Sequence, residues 1–278
     1  MSPVTSTKQV LELIQEVKTG AASYCTNFYS SPQKIVNWVE HGELFAGRYG
    51  NAVLLLRKNA GFSHLYFGAT SPDALAQGIH SWPQRNQEAI VVDLIGREPD
   101  VAGSLGIWEG NGFKRYQSLN RMTRTAQLPA EARVVADPRI GFADRPDCGP
   151  IQDLLRSAFD PYAEQLPTRY ELEAAIGARQ ILVARHEGAL AGVLFFETQG
   201  VTSTLRYWLV AEPFRSLGVG SGLMKEYFNS HPRVCRYVLW VIAQNQPAIQ
   251  KYAHYGFAPD GLVDYVLAKG NMFHDSVN

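Results

Sequence analysis

Arg215, Gly218 and Gly220 carry the clearest chemical meaning in this chain, within the run Leu209-Val210-Ala211-Glu212-Pro213-Phe214-Arg215-Ser216-Leu217-Gly218-Val219-Gly220-Ser221-Gly222-Leu223-Met224. A strand pattern ends near Val210, Pro213 marks a turn, and Arg-x-x-Gly-x-Gly opens directly into an amphipathic helix over Val219 to Asn229. The first N–H groups of a helix have no intrahelical acceptor, and the helix dipole adds partial positive charge there. Glycine lacks a Cβ, so a phosphate can approach the backbone closely. An arginine adds a full charge and a two-pronged donor for phosphate oxygens. Residues Arg215, Ser216, Leu217, Gly218, Val219, Gly220 and Ser221 therefore form a candidate pyrophosphate site. The same string also suits a plain helix-start turn beside a solvated arginine. It is not the dinucleotide fingerprint, because Ser221 and Gly222 break the three-glycine spacing, and no Gly-Lys-Ser/Thr follows to make a P-loop.

About twenty residues on lies a second informative segment, Leu239-Trp240-Val241-Ile242-Ala243-Gln244-Asn245-Gln246-Pro247-Ala248-Ile249-Gln250-Lys251-Tyr252-Ala253-His254-Tyr255-Gly256-Phe257. With both segments in view the chain resembles the GCN5-related N-acetyltransferase (GNAT) superfamily. Arg215 to Gly220 is similar to its motif A, R/Q-x-x-G-x-G/A. Asn245 to Phe257 is similar to its motif B: a strand, an Asn, a helix with A-I-x-x-Y, and a terminal G-F. The resemblance covers most of residues 133 to 269.

The resemblance implies an acetyl-CoA-dependent N-acetyltransferase, with acetyl-CoA as cosubstrate and no metal. Its pyrophosphate would sit on Arg215 through Ser221. The pantetheine arm would pair like a strand with Leu209 and Val210, where the fourth strand splays from the next, Tyr237 to Ile242. Asn245 matches a residue that contacts the pantetheine region, and it also suits the N-cap of the following helix. Tyr252 matches the tyrosine that protonates the departing thiolate; a tyrosine on a helix also suits amphipathic packing. Glu197, at the end of the third strand, sits where some family members place the carboxylate that takes the amine proton, and equally where a hairpin surface residue would sit. Arg206 and Tyr207 alternate on the fourth strand, so one should face the acceptor. Asp160, Tyr162 and Glu164 lie between the first two helices, the region that shapes substrate choice in this family; they fit a cationic acceptor or an ordinary polar loop.

The elements that must position these groups recur twice. The first half predicts helices over Lys8 to Lys18 and Pro32 to Glu40. Strands follow at Leu44 to Tyr49, Ala52 to Arg57 and His64 to Phe67, then a helix from Ser71 with Pro72 at its first position. A buried strand at Ala89 to Leu94, a helix at Val101 to Glu109 and a closing strand at Tyr116 to Thr125 complete it. The second half predicts a short strand at Arg139 to Ala143, helices at Gly149 to Phe159 and Thr168 to Ile176, and strands at Ile181 to Arg185, Leu190 to Glu197 and Thr204 to Val210. The helix after motif A, a strand at Tyr237 to Ile242, a helix at Pro247 to His254 and a strand at Val263 to Ala268 follow. Asn111-Gly112-Phe113 and Tyr255-Gly256-Phe257 punctuate matching places. The fold class is α/β in the α+β sense: two tandem GNAT-like domains, each a mixed, mostly antiparallel sheet flanked by helices. The Thr, Gln, Pro and Ala content of residues 124–131 suggests a linker, dividing the chain into 1–127 and 132–278. The first half lacks motif A: Gly68-Ala69-Thr70-Ser71-Pro72-Asp73 has no Arg-x-x-Gly-x-Gly, and Asp73 would repel a pyrophosphate. Its expected role is packing, dimerisation into a homodimer, or one wall of the acceptor site.

The 278 residues suffice for two domains of about 130–140 residues each. Acidic and basic residues balance at 26 each, so no chain-wide field attracts nucleic acid or anionic lipid. Cys25, Cys148 and Cys235 are odd in number and far apart, which argues against a disulfide framework and a zinc site. His64, His80 and His41 have no metal-like spacing, and His254 reads as structural. Met1 to Val10 has no hydrophobic signal core, and no apolar run approaches the roughly 20 residues of a membrane span. The expectation is a soluble, cytoplasmic enzyme acetylating a primary amine of a small molecule. A protein amine, a longer acyl group, or a non-catalytic acyl-CoA-binding or regulatory module are the alternatives.

Overall fold

The computed structural model describes residues 1–21, 23–83, 88–125, 137–231 and 233–270. The chain forms two compact units, Met1–Leu119 with Gly261–Asn278, and Asn120–Asp260. The linker and domain boundary expected at residues 124–131 fall largely outside the described residues.

The first unit begins with β1 (Ser2–Pro3), α1 (Thr7–Thr19), β2 (Cys25–Thr26) and α2 (Pro32–Glu40). It continues with β3 (Leu44–Tyr49), β4 (Ala52–Lys58), β5 (Phe62–Ala69), α3 (Pro72–Ser81), β6 (Ala89–Arg97) and α4 (Glu98–Glu109). β3, β4 and β5 are antiparallel neighbours, and β5 then runs parallel to β6. Alternation along the strands builds two cores. Val53, Leu55 and Tyr66 meet Val10, Val17, Ile35 and Trp38 of α1 and α2. Leu54, Leu65 and Phe67 meet Leu75, Ile79 and Trp108 of α3 and α4 on the other face.

The second unit contains β8 (Ile140–Phe142), α5 (Cys148–Ala158), α6 (Arg169–Gly177), β9 (Ile181–His186), β10 (Ala189–Gln199), β11 (Thr202–Val210), α7 (Val219–Ser230), β12 (Arg236–Ile242) and α8 (Gln246–His254). Thr168 and Glu171 close a reciprocal capping box on α6, as their spacing predicts. Glu187 and Gly188, both at positive φ, make the two-residue turn that joins β9 to β10. α5 and α6 cover one face of the sheet; α7 and α8 cover the other.

Two strands cross between the units. β7 (Lys114–Thr125) leaves the first unit at Leu119, and its Met122 is buried in the core beneath α7. β13 (Ala258–Lys269) returns to the first unit at Gly261 and pairs antiparallel with β6, from Leu262 opposite Arg97 to Lys269 opposite Ile90. The final strand, expected to close the second half, groups from Gly261 onward with the first unit. An apolar run such as Val263 to Ala268 reports that a strand is buried, not which neighbour it pairs with. The two-residue strands β1 and β2 carry no periodic signal and were not expected.

Among the described residues no helix is long and apolar enough to cross a membrane, and no group of three His, Cys, Asp or Glu side chains is arranged to hold a metal ion.

Candidate active site

The site is built around a gap between β11 and β12. These parallel strands pair only from Thr202 opposite Arg236 to Leu205 opposite Leu239, although they extend to Val210 and Ile242. On its other edge β11 pairs with β10 through to Val210, with one irregularity: Phe195 faces Tyr207 and Phe196 faces Leu205. Arg206 is thus the extra residue of a β-bulge, placed where pairing with β12 stops. A bulge bends its strand and increases the local twist, which turns the end of β11 away from β12. Leu209 and Val210 lie on the splayed part, with Leu209 against the α5/α6 core and Val210 against the α7/α8 core.

Beyond β11 a short 3-10 turn, Glu212–Phe214, leads to Arg215 in extended conformation, then Ser216 at φ 70° and Gly218 at φ 76°. A left-handed serine stores about 1–2 kcal/mol of strain, of the kind concentrated at functional turns. Gly218 occupies the N-cap of α7, where no side chain caps the helix. The first backbone bond is Gly222 N–H to the Gly218 carbonyl, so among the described residues Val219, Gly220 and Ser221 have no backbone acceptor for their N–H groups. Arg215 projects into solvent and lies 3.9 Å from the exposed Glu212 carboxylate. Leu217 is also exposed. A Cβ on Gly220 would lie 3.3 Å from Trp208 and Val210, and one on Gly222 would lie 2.7 Å from Ile140, so both glycines let α7 pack closely. Arg139 secures the turn, donating from Nη1 to the Leu217 carbonyl at 3.1 Å while holding Asp137 with its remaining nitrogens.

α8 brings up the second group of residues. Asn245 Oδ1 accepts the Ala248 N–H at 3.2 Å, the capping bond expected of it. Tyr252 lies with its ring 5.7 Å from Trp208 and 6.1 Å from Phe257. Burial, followed by the nearby charge of Glu164, pushes its phenol above the usual tyrosine range. Tyr255 donates to Ser221 Oγ at 3.1 Å, linking α8 to the start of α7. Trp208 therefore joins the helix-start turn to Tyr252, and its buried indole N–H finds no acceptor among the described residues. The sequence reading did not single it out: a tryptophan in a strand reads as core.

Glu197 lies opposite Thr204, where β11 is still paired with β12. Its charge acts on Arg206; burial opposes the charged guanidinium, but Glu197 and Tyr207 outweigh it and hold Arg206 protonated. Of the two alternating residues, Tyr207 turns to the α5/α6 side. Its hydroxyl donates to the carbonyls of Glu164 at 2.9 Å and Gln165 at 2.8 Å. The structure thus gathers the end of β11, residues 215–221 and Tyr252 around the gap, and leaves Glu197 beside Arg206.

The first unit has a comparable gap that its own chain fills. β5 pairs with β6 only from Phe62 opposite Ala89 to His64 opposite Val91. Past that point β2 pairs with the end of β5, Cys25 opposite Ala69 and Thr26 opposite Gly68. Buried Asn27 bridges the separated strands: its amide donates to the carbonyls of Leu65 at 3.1 Å and Asp93 at 3.0 Å, and its Oδ1 accepts the Phe67 N–H at 2.8 Å. Ser71 Oγ caps α3 by accepting the Ala74 N–H at 3.1 Å, with Asp73 in the first turn. A cavity of about 160 Å³ remains beside Asn27, Pro72 and Trp108. A capped, acidic helix start and an occupied strand gap leave no counterpart of the open turn at Gly218.

Residues 150–257 match the model of the Acetyltransferase (GNAT) family. That match lies within the second unit. The fold of the whole chain is that of tandem GNAT proteins. It is similar to a tandem GNAT protein from the clavulanic acid biosynthesis pathway (14% identity, 96% of this chain and 97% of that one, TM-score 0.64). It is also similar to a GCN5-related N-acetyltransferase from Sphaerobacter thermophilus (16% identity, 96% and 94% covered, TM-score 0.58). A GNAT-family acetyltransferase from Colwellia psychrerythraea has the same fold (11% identity, 96% and 97% covered, TM-score 0.53). No curated protein matches the chain. Within the matched residues, Arg215 to Ser221 form the open turn before α7, and Asn245 caps the helix that carries Tyr252.

Proposed function

We propose that the GNAT domain binds acetyl-CoA in the gap between β11 and β12 and transfers its acetyl group to the primary amine of a small molecule. The observation that carries this reading is the strand gap that opens beside an uncapped, glycine-started helix. A pyrophosphate placed on residues 215–221 meets free N–H groups, the positive end of α7 and the Arg215 guanidinium. The pantetheine amides find the unpaired edge of Leu209 and Val210. The thioester then lies near the last rung, between the α5/α6 side and Tyr252.

The reaction is direct attack in a ternary complex. The neutral amine nitrogen bonds to the thioester carbonyl carbon, and backbone N–H groups stabilise the oxyanion. As the tetrahedral intermediate collapses, the C–S bond breaks and the Tyr252 hydroxyl gives its proton to the thiolate. A phenol held above its usual range stays protonated at neutral pH and is ready to donate. A small cationic acceptor suits the confined, carboxylate-bearing turn at residues 160–164.

Calorimetric titration with acetyl-CoA tests the reading. Wild-type protein is expected to bind close to one acetyl-CoA per chain, and Arg215→Glu to bind at least about tenfold more weakly. Thiol release with amino acids, polyamines and amino sugars then identifies the acceptor class. Binding without turnover on any amine, lysine peptides included, would leave a non-catalytic acyl-CoA module. No binding would overturn the reading altogether.

A further inference from the structure

The acetyl-transfer reading supplies a proton donor for the leaving thiolate but leaves open where the proton of the attacking amine goes. We propose that Glu164 is the base that takes it.

Tyr207 and Trp208 are consecutive on β11, just past the last paired rung at Leu205, and strand alternation sends them to opposite faces. Tyr207 packs under α5 and α6, whereas Trp208 packs under α7 and α8. Tyr207 holds the Glu164 and Gln165 carbonyls through its hydroxyl, at 2.9 and 2.8 Å. Trp208 holds Tyr252 through its ring, at 5.7 Å. Glu164 and Tyr252 therefore flank the gap from opposite faces of the sheet, close enough for the charge of Glu164 to act on the Tyr252 phenol. A base on one face and an acid on the other is the arrangement in which amine attack and thiolate departure occur on opposite sides of a single thioester carbonyl.

The turn that carries Glu164 is built to hold a carboxylate. Glu164 Oε2 accepts the Asp160 N–H at 2.9 Å. Asp160 Oδ1 accepts the N–H groups of Tyr162 at 2.8 Å and Ala163 at 3.2 Å, which closes the turn. Gln165 is held at φ 46°, a strained conformation for a non-glycine residue directly after the carboxylate. Glu164 Oε1 accepts no hydrogen bond from the described residues. Asp160 in its own turn acts on Glu164, and Glu164 acts on Tyr207 of β11 and Tyr252 of α8; Tyr207 also faces Arg206 of β11 and Glu171 of α6, and Arg206 faces Glu197 of β10. Arg206 is the cation among them, and Glu197 is the carboxylate that acts on it most strongly. Among the described residues no cation pairs with Glu164. Burial, with the charge of Asp160 adding to it, pushes its carboxyl up to about 7. A carboxylate at that value accepts a proton far more readily than an ordinary one and is still substantially ionised at neutral pH.

The step balances. The amine nitrogen forms the C–N bond, its proton passes to the Glu164 carboxylate, the C–S bond breaks, and the thiolate takes the Tyr252 proton. Solvent then removes the proton from Glu164 and restores that of Tyr252.

The test compares wild type, Glu164→Gln and Glu197→Gln with acetyl-CoA and the best wild-type acceptor from the amine panel, across pH 5.5 to 9. The wild-type rate is expected to rise through a limb near pH 7. Glu164→Gln keeps an acceptor for the Asp160 N–H, so it should fold and bind acetyl-CoA within about twofold of wild type. Its turnover should fall about 100-fold and its limb should vanish. Glu197→Gln should keep the limb. Tyr207→Phe, which frees the turn from β11, should lower kcat and leave acetyl-CoA affinity unchanged. A Glu164→Gln enzyme that retains both rate and limb, or a limb lost in Glu197→Gln instead, overturns the assignment while acetyl transfer stands. Wild-type protein that releases no thiol with any amine overturns acetyl transfer itself, and the assignment with it.

Discussion

The Arg139 guanidinium donates to the carbonyl of Leu217 at 3.1 Å and so ties the strand entering β8 to the turn in front of α7. Leu217 sits between Ser216 and Gly218, both at positive φ, so its carbonyl is an anchor for a backbone that would otherwise relax. Arg139→Gln is expected to weaken acetyl-CoA binding about threefold to tenfold while leaving kcat at saturation unchanged. Calorimetry alongside steady-state kinetics checks this. An unchanged affinity would mean that the turn holds its shape without Arg139.

Tyr252→Phe removes one hydroxyl and keeps the ring that packs on Trp208 and Phe257. Turnover is expected to fall about 10- to 100-fold with acetyl-CoA affinity unaltered. Because burial and Glu164 hold the phenol above the ordinary value near 10, the wild-type rate should show no alkaline decline from this group below about pH 10. A decline near pH 9 that disappears in Tyr252→Phe would contradict that placement.

Asn27→Ala should destabilise the protein by about 2–4 kcal/mol, because it leaves two buried carbonyls and one buried N–H without partners. Chemical denaturation measures the loss. Acetyl-CoA stoichiometry should stay at one per chain in both proteins, since the strand gap of the first unit is filled by β2 and not by a ligand. A second equivalent bound by wild type would refute this account.

Asp264 on β13 and Asp93 on β6 are buried in the first unit, with His64 Nε2 3.0 Å from Asp93 Oδ2. Burial first, and the charge of Asp93 second, push the Asp264 carboxyl well above the usual carboxylate value. The folded protein thus keeps a proton that the unfolded chain releases near pH 4. Above that pH the unfolded state binds fewer protons, so stability falls as pH rises until Asp264 ionises in the folded state. Asp264→Asn removes that dependence and keeps an acceptor for the Leu94 N–H. Its melting temperature at pH 8 should exceed that of wild type by about 2–4 °C, the equivalent of roughly 1 kcal/mol. A variant that melts lower at pH 8 would exclude a strained, protonated Asp264.

The elements were legible in the sequence where local chemistry sets them. Ser71 and Pro72 start α3, Thr168 and Glu171 cap α6, and short continuous apolar runs mark β4, β9 and β10. These signals depend on neighbours one to four residues away. The Arg215 to Gly220 turn was legible for the same reason, since an open helix start is a property of its own few residues. β2 was not, because two residues carry no period, although their pairing with Ala69 and Gly68 decides how the first unit fills its gap.

By itself the sequence determined two α/β halves, an open glycine-started turn before a helix in the second, a capped acidic helix start in the first, and a tyrosine on the helix that Asn245 caps. Only the tertiary structure decided which strand the closing strand pairs with, where β11 parts from β12, and that Tyr207 and Trp208 take opposite faces there, one against the Glu164 carbonyl and the other against Tyr252. These depend on partners far along the chain: a bulge at Arg206, a hydroxyl from Tyr207, a strand from the other end of the protein. A side chain's spacing fixes the face it takes on its own element, whereas burial and long-range pairing fix what it meets there.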